Sequence, residues 1–463
     1  VGSAVSIPSA LPKGSDIDMK ILKSSDPETH AILRGIRDRT FELRKAPPDE
    51  LWPLASVFPG ESATAAVARL LADIHSEGDA AVAKYEKALT GKTVPPGGFR
   101  VSQETIAAAK EGASEEFLKV IRSAEDQIAR FHQNTLPIPI ATYRFLGSTI
   151  STVAGPLRRV GILIPTGENA FPSVLLASAV PAKVAEVEEI ALAVMPDERG
   201  EIPADLLAVA AELEITEIHR LSPITAIAAF AFGTESIPRA DMIIGHGDLA
   251  VLEARSLLTG RAKVERMGGP CELLIYAGEG ADPSWVAADL LAQAEHSPLT
   301  GSVLLTEDEA MAGEVAGRVQ EQIEGLPTAD VARRSLERFG AIVVVAGEDE
   351  AVELINELAF QSVEIVHPRA RDIADRIRNA GAVFVGAYTP QAVGDYCAGP
   401  SHMLPRGGSA RFTSGLSVRD FLKETLVFEF TREGFRSLSD TARALAKCEG
   451  LPAHSRSIEV REE

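Results

Sequence analysis

Gln293-Ala-Glu-His296 places an amide and an imidazole three residues apart at the end of an apolar segment. Asp282 and Pro283 read as the N-cap and first residue of a helix, and Val286, Leu290 and Leu291 mark its buried stripe. On such a helix the side chains of Gln293 and His296 leave the same face of the last turn. An amide oxygen and a neutral ring nitrogen held there can supply half of a divalent metal site. The alternative is an ordinary histidine near the negative end of the helix dipole.

The elements that position this pair are legible in the apolar runs. Ser62 to about Phe131 reads as mainly helical, broken at Pro95-Pro96-Gly97-Gly98. From Val160 onward short apolar strands alternate with helices. Strands are expected at Val160–Ile164, Ile190–Val194, Glu217–Leu221 and Met242–Ile244, with helices at Val174–Val184, Ala204–Leu213 and Thr225–Ala231. A second series places strands at Glu272–Tyr276, Ser302–Leu305, Ala341–Val345, Val363–Val366 and Val383–Val385. Strands of this kind form largely parallel sheets covered by helices on both faces. Residues 1–50 read as a peripheral arm with an amphipathic segment at Ile32–Leu43, and the chain from Asp420 reads as a helical tail.

The composition excludes several classes. The 463 residues carry a formal net charge of −20, which disfavours nucleic acid and anionic membranes as partners. The longest apolar stretch, Ile224–Phe232, falls far short of the ~20 residues needed to span a bilayer. The first residues, Val1-Gly2-Ser3-Ala4, lack the basic and apolar regions of a signal peptide. Cys271, Cys397 and Cys448 are an odd count in unrelated contexts, which suggests free thiols and a cytoplasmic setting.

Further motifs occur along the chain: Phe232-Gly-Thr-Glu-Ser236, Gly269-Pro-Cys-Glu272, Gly394-Asp-Tyr396, Gly399-Pro-Ser-His-Met-Leu-Pro405 and Glu449-Gly-Leu-Pro-Ala-His454. In order and spacing they resemble the histidinol dehydrogenase family from about Leu51 to the end of the sequence. The resemblance implies two incomplete Rossmann-like domains, small helical terminal segments and an intertwined homodimer. It implies an N-terminal arm at 1–50, a zinc-bearing α/β domain from 51–159 and 272–415, an inserted α/β domain at 160–271, and a dimerisation tail at 416–463. It implies zinc ligation by Gln293, His296 and Asp395 of one subunit, with His454 supplied by the other. Cys271, His402 and Glu449 match positions that contact substrate.

The sequence departs from the family where the chemistry is done. Gln361 and Ser362 stand where the family carries a Glu-His acid–base pair, and neither is a base at neutral pH. Glu364, His367 and His402 are the candidates to replace it. The family's NAD contacts, a Tyr, a Gln and an Asn, correspond to Leu163, Thr225 and Asp248, so all three have changed. The Pro165-Thr166-Gly167 turn also lacks one glycine. His246 stands beside these positions in Gly245-His-Gly-Asp248, whereas His132 and His219 read as structural. The expectation is therefore a zinc enzyme oxidising a small polar alcohol or amino alcohol other than L-histidinol, with NAD as acceptor. The alternatives are a zinc-dependent lyase that does without NAD and a metal-dependent binding protein.

Overall fold

The computed structural model describes residues 19–45, 47, 52–164, 171–197, 199–265 and 269–462. The Pro165-Thr166-Gly167 turn and the first residues of the chain lie outside them. In chain order the strands are β1 (Ile21–Lys23), β2 (Ile140–Phe145), β3 (Ser148–Pro156), β4 (Arg159–Ile164), β5 (Glu189–Val194), β6 (Glu217–Arg220) and β7 (Met242–Gly245). They continue with β8 (Lys263–Val264), β9 (Glu272–Ala277), β10 (Gly301–Thr306), β11 (Gly340–Val344), β12 (Ser362–Val366), β13 (Ala382–Val385) and β14 (Leu422–Glu429).

Two parallel sheets carry the molecule. One has the order β6-β5-β4-β7-β8 and the other β1-β11-β10-β9-β12-β13. Both are buried on two faces, as near-continuous apolar strands require. Along β4 the alternation is visible: Val160, Ile162 and Ile164 enter one core and Leu163 the other. β9 divides likewise, with Leu274 and Tyr276 on one side and Leu273 and Ile275 on the side of the Pro283–Ala294 helix. Asp282 caps that helix by accepting from Ser284 N at 2.8 Å, and proline follows it at the first helical position.

The packing departs from the expected boundaries in three places. Residues 52–134 belong with the 160–271 sheet, because Leu70, Tyr85 and Phe99 share a core with Leu163 and Phe230, and Ile121 and Ile128 share one with Ile162. The arm is not peripheral: β1 pairs with β11, and Leu33 and Ile36 of the Pro27–Lys45 helix enter the core beside Leu274 and Val303. The C-terminal segment is not wholly helical either. β14 pairs antiparallel with β3, which pairs with β2, before the helices Arg432–Cys448 and Pro452–Glu459. Among the described residues no helix is long and apolar enough to cross a membrane.

Candidate metal centre and the facing crevice

A helix that follows a parallel strand runs back towards the strand's N-terminal edge. Gln293, at the end of the helix after β9, therefore lies at the edge where Glu272 begins β9 and Ser362 begins β12. Asp395 reaches this edge from the short helix Gln391–Tyr396. His296 lies just beyond the Gln293 helix and is exposed. Its Nδ1–H donates to the Gln293 carbonyl at 3.1 Å, which leaves Nε2 as the lone-pair nitrogen.

Gln293 is the most informative residue in this cluster. It is only 2% exposed, yet neither polar atom of its amide has a protein partner among the described residues. A buried amide in that state costs about 1–3 kcal/mol unless something not made of protein satisfies it. Burial raises the Asp395 carboxyl to about 6, against the opposing pull of His296 and Arg406. The amide oxygen, imidazole and carboxylate suit a borderline cation such as Zn²⁺. Among the described residues no group of three or more His, Cys, Asp or Glu converges as a metal site. This set contains two such residues plus an amide, and its fourth member lies elsewhere.

That fourth candidate, His454, is exposed in the Pro452–Glu459 helix, and Glu449 is exposed at the C-cap of the preceding helix. No hydrogen bond among the described residues joins either to Gln293, His296 or Asp395. Within one chain the structure does not bring the four ligands together.

The candidate bases separate sharply. His367 follows β12 at its C-terminal end, stacked on Tyr276 at 5.7 Å, with its Nδ1 accepting from Arg369 N at 3.0 Å. At ~3.3 Å per residue it stands more than ~10 Å along the strand from Ser362, so it is not a catalytic residue of this centre. Glu364 is 2% exposed and is held by Asp289 and by Gln391 N at 2.6 Å. Burial and the neighbouring Asp289 push its carboxyl well up, and burial also raises Asp289, so the two share a proton. Gln361 accepts from Glu272 N at 3.3 Å and is a structural tie. Ser362 is fully buried, with Oγ lacking a protein partner among the described residues. His402 lies next to the cluster: Nδ1–H donates to the Asp395 carbonyl at 2.9 Å, and burial followed by the charge of Arg406 lowers its pKa to about 4. It is neutral at physiological pH and presents Nε2 as an acceptor.

Cys271 lies just before β9, half-buried in area but surrounded by protein atoms, which push its thiol pKa up. It is therefore a thiol and not an activated nucleophile. Sequence reasoning missed the residue that holds this segment. Arg39, from the N-terminal helix, donates to the carbonyls of Cys271 at 2.7 Å and Pro270 at 3.2 Å. It also pairs with the wholly buried Glu272 at 3.0 Å. Glu272 in turn accepts from Gly407 N at 3.1 Å, tying the loop after His402 to β9. Asp289, the partner of Glu364, was also missed, although it stands one helical turn before Gln293.

Opposite this edge lie the C-terminal ends of β4 and β7. In the order β6-β5-β4-β7-β8 the connections diverge between these two strands, the position where open α/β sheets bind ligands. Gly245 closes β7 at φ +112°, and a Cβ there would stand 2.0 Å from the Leu163 carbonyl oxygen. His246 then points across to His402, with ring centroids 6.2 Å apart. The expected cofactor residues do not present polar groups here. Leu163 is fully buried core. Thr225 is fully buried and donates to Glu86, which also accepts from Ser222 N at 2.8 Å. Asp248 is the N-cap of the Leu249–Leu257 helix, accepting from Val251 N at 3.0 Å. His219 pairs with Glu217 at 2.8 Å and His132 is fully buried, both structural placements.

The histidinol dehydrogenase family model matches residues 58–462. The chain belongs to the histidinol dehydrogenase family. It is 42% identical over 403 residues to the histidinol dehydrogenase of Moorella thermoacetica, covering 87% of this chain and 95% of that protein. To that of Bacillus licheniformis it is 39% identical over 443 residues, covering 96% and 99%. The crystal structure of histidinol dehydrogenase from Elizabethkingia anophelis superposes with a TM-score of 0.84 at 28% identity, covering 96% of this chain and 98% of that one. Membership makes this chain an enzyme of an oxidoreductase family, with a mixed α/β fold of largely parallel sheets.

Proposed function

We propose that the protein is a zinc-dependent oxidoreductase acting on a small polar alcohol or amino alcohol other than L-histidinol. The observation that carries the metal is the buried, unpartnered Gln293 amide beside Asp395 and His296. Gln293, His296 and Asp395 would hold the ion, with His454 of the partner subunit completing it. Bound zinc supplies Lewis acidity towards a substrate oxygen. His402 orients the substrate hydroxyl and takes its proton at Nε2. Cys271 contributes a weak hydrogen-bonding thiol beside it, and Glu449 of the partner subunit faces a substrate amino group. Replacement of the family's acid–base pair by Gln361, tied to Glu272, and the buried Ser362 removes the machinery for a second oxidation. The substrate therefore leaves as an aldehyde or ketone.

Two observations support a homodimer in this reading: His454 lies away from the other three ligands within one chain, and the C-terminal region exposes apolar residues. Leu426, Phe428, Phe430, Leu445 and Leu451 are all exposed there, a stripe that a second copy would cover. The net charge of −20 argues against nucleic acid and anionic membranes as partners. A cytoplasmic setting agrees with three free thiols.

NAD is the acceptor the family suggests, and the β4–β7 crevice has the topology for it. Leu163, Thr225 and Asp248 do not fit as its polar contacts, however, being engaged in the core or at a helix cap. That observation favours a second reading, a zinc-dependent lyase that cleaves a hydroxymethyl group without nicotinamide. Titration of zinc-loaded protein with NAD⁺ and NADH, followed by thermal shift, separates the two. The oxidoreductase binds NADH at micromolar to millimolar concentration; no shift at millimolar NADH refutes it in favour of the lyase.

A further inference from the structure

Arg406 follows the Gly399–Pro405 loop and enters the space between the metal edge and the β4–β7 crevice. No carboxylate pairs with it among the described residues. Its Nη1 donates to the Gly269 carbonyl at 2.6 Å and its Nη2 to His246 Nε2 at 3.4 Å. Because His246 Nε2 accepts, the ring proton sits on Nδ1. That Nδ1–H and the Arg406 Nε–H are both buried donors without a protein acceptor among the described residues. His246 and Arg406 line a cavity of about 30 Å³ together with Arg255, Glu265, Met403 and Leu404, where Glu265 Oε1 is likewise without a protein partner among the described residues. Glu265 is its single acid, facing two guanidinium groups, and its carboxyl is anchored by Gly245 N at 3.2 Å. Burial pushes that carboxyl up to about 7, so it is largely protonated below neutrality.

Unpaired donors on a positively charged wall call for an anionic acceptor. We propose that Arg406 and His246 form a carboxylate-recognition subsite, so that the substrate is a small hydroxy compound bearing a carboxylate. The identification as substrate rests on the preceding functional reading, since His402 lies beside His246. With Nη1 and Nη2 of Arg406 engaged, its Nε–H and the second Nη2 hydrogen are the side-on edge left for the two oxygens of a carboxylate. A cavity of this size has room for a small polar group and no more than a few waters. A flat carboxylate makes a smaller demand on this confined space than a tetrahedral phosphate.

The test is isothermal titration of the zinc-loaded protein at pH 6.5 with three probes of common skeleton: D-glycerate, sn-glycerol 3-phosphate and glycerol. Glycerate binds saturably, while glycerol and glycerol 3-phosphate bind at least ~10-fold more weakly, the loss of one good interaction. Arg406→Gln loses at least ~10-fold in glycerate affinity with zinc content unchanged, and Arg406→Lys falls between. His246→Asn, which keeps a donor but alters its reach, weakens glycerate by a smaller factor and guards against misfolding of the arginine variants. Equal binding of glycerol or the phosphate, or glycerate binding indifferent to all three substitutions, overturns the proposal. So does binding of NAD⁺ that is lost in Arg406→Gln while glycerate never binds, because the anion would then be the cofactor's. Zinc content and NADH binding of the same preparations report separately on the functional reading.

Discussion

The edge around Gln293 and the pocket around Thr225 are both buried, polar and drawn from positions that the resemblance assigns to family sites, yet their chemistry is opposite. At Gln293 the protein buries an amide, and the described residues satisfy neither end of it. At Thr225 every hydroxyl turns inward: Thr225 and Ser222 both donate to Glu86, whose carboxyl is raised by burial. The first region is built to receive a group from outside, and the second is closed on itself. A family position is thus informative about function only where the folded chain leaves its polar atoms unspent.

Asp395→Ala breaks the first region outright: it should reduce zinc retention after gel filtration by at least ~100-fold, beyond the 10–100-fold typical of outer-shell changes. Metal analysis checks it, and full zinc occupancy would erase the contrast. Arg39→Met strips the buried Glu272 of its charge partner and should cost about 3–5 kcal/mol in urea unfolding. A loss below ~1 kcal/mol would show that the arm does not support the metal edge. In the second region Thr225→Val should cost about 1–3 kcal/mol of stability, since Glu86 loses a donor. The affinity for NADH should stay unchanged; a tenfold loss would make Thr225 a cofactor contact after all.

The smallest effect concerns protons. In zinc-free protein the Glu364 carboxyl titrates near 8, above its unfolded value, because of burial and Asp289. A raised carboxyl stabilises the fold below the ordinary carboxylate range, and that contribution is lost as pH rises towards 8. The melting temperature of chelated wild type should therefore fall between pH 5 and about 8 relative to Glu364→Gln. Parallel curves would place the shared proton elsewhere.

Much of this arrangement was legible in the sequence because parallel strands announce themselves. Val160–Ile164 and Glu272–Tyr276 are apolar runs too short for helices, and Asp282-Pro283 dates the start of the helix that carries Gln293. The assignment of residues 52–134 to a sheet was not legible, since an amphipathic helix shows that it has a buried face but not what covers it. β1, three residues long, and β14, whose apolar side chains face outward, carry no burial pattern to read. Arg39 was hidden because arginine is normally a surface residue. His367 misled by proximity in sequence: five residues along a strand carry it from one edge of the sheet to the other. Thr225 and Asp248 were assigned by resemblance, and only the folded chain reveals that their oxygens are already bonded.

The central claim is that the Gln293 edge awaits a metal shared between subunits. Calorimetric titration of zinc into chelator-stripped protein tests it most directly, with wild type, Gln293→Leu and His454→Ala compared. The account predicts one zinc per chain for wild type and at least ~100-fold weaker binding in both variants, each still folded. Zinc held equally well by the variants, or no zinc bound by wild type, would contradict it.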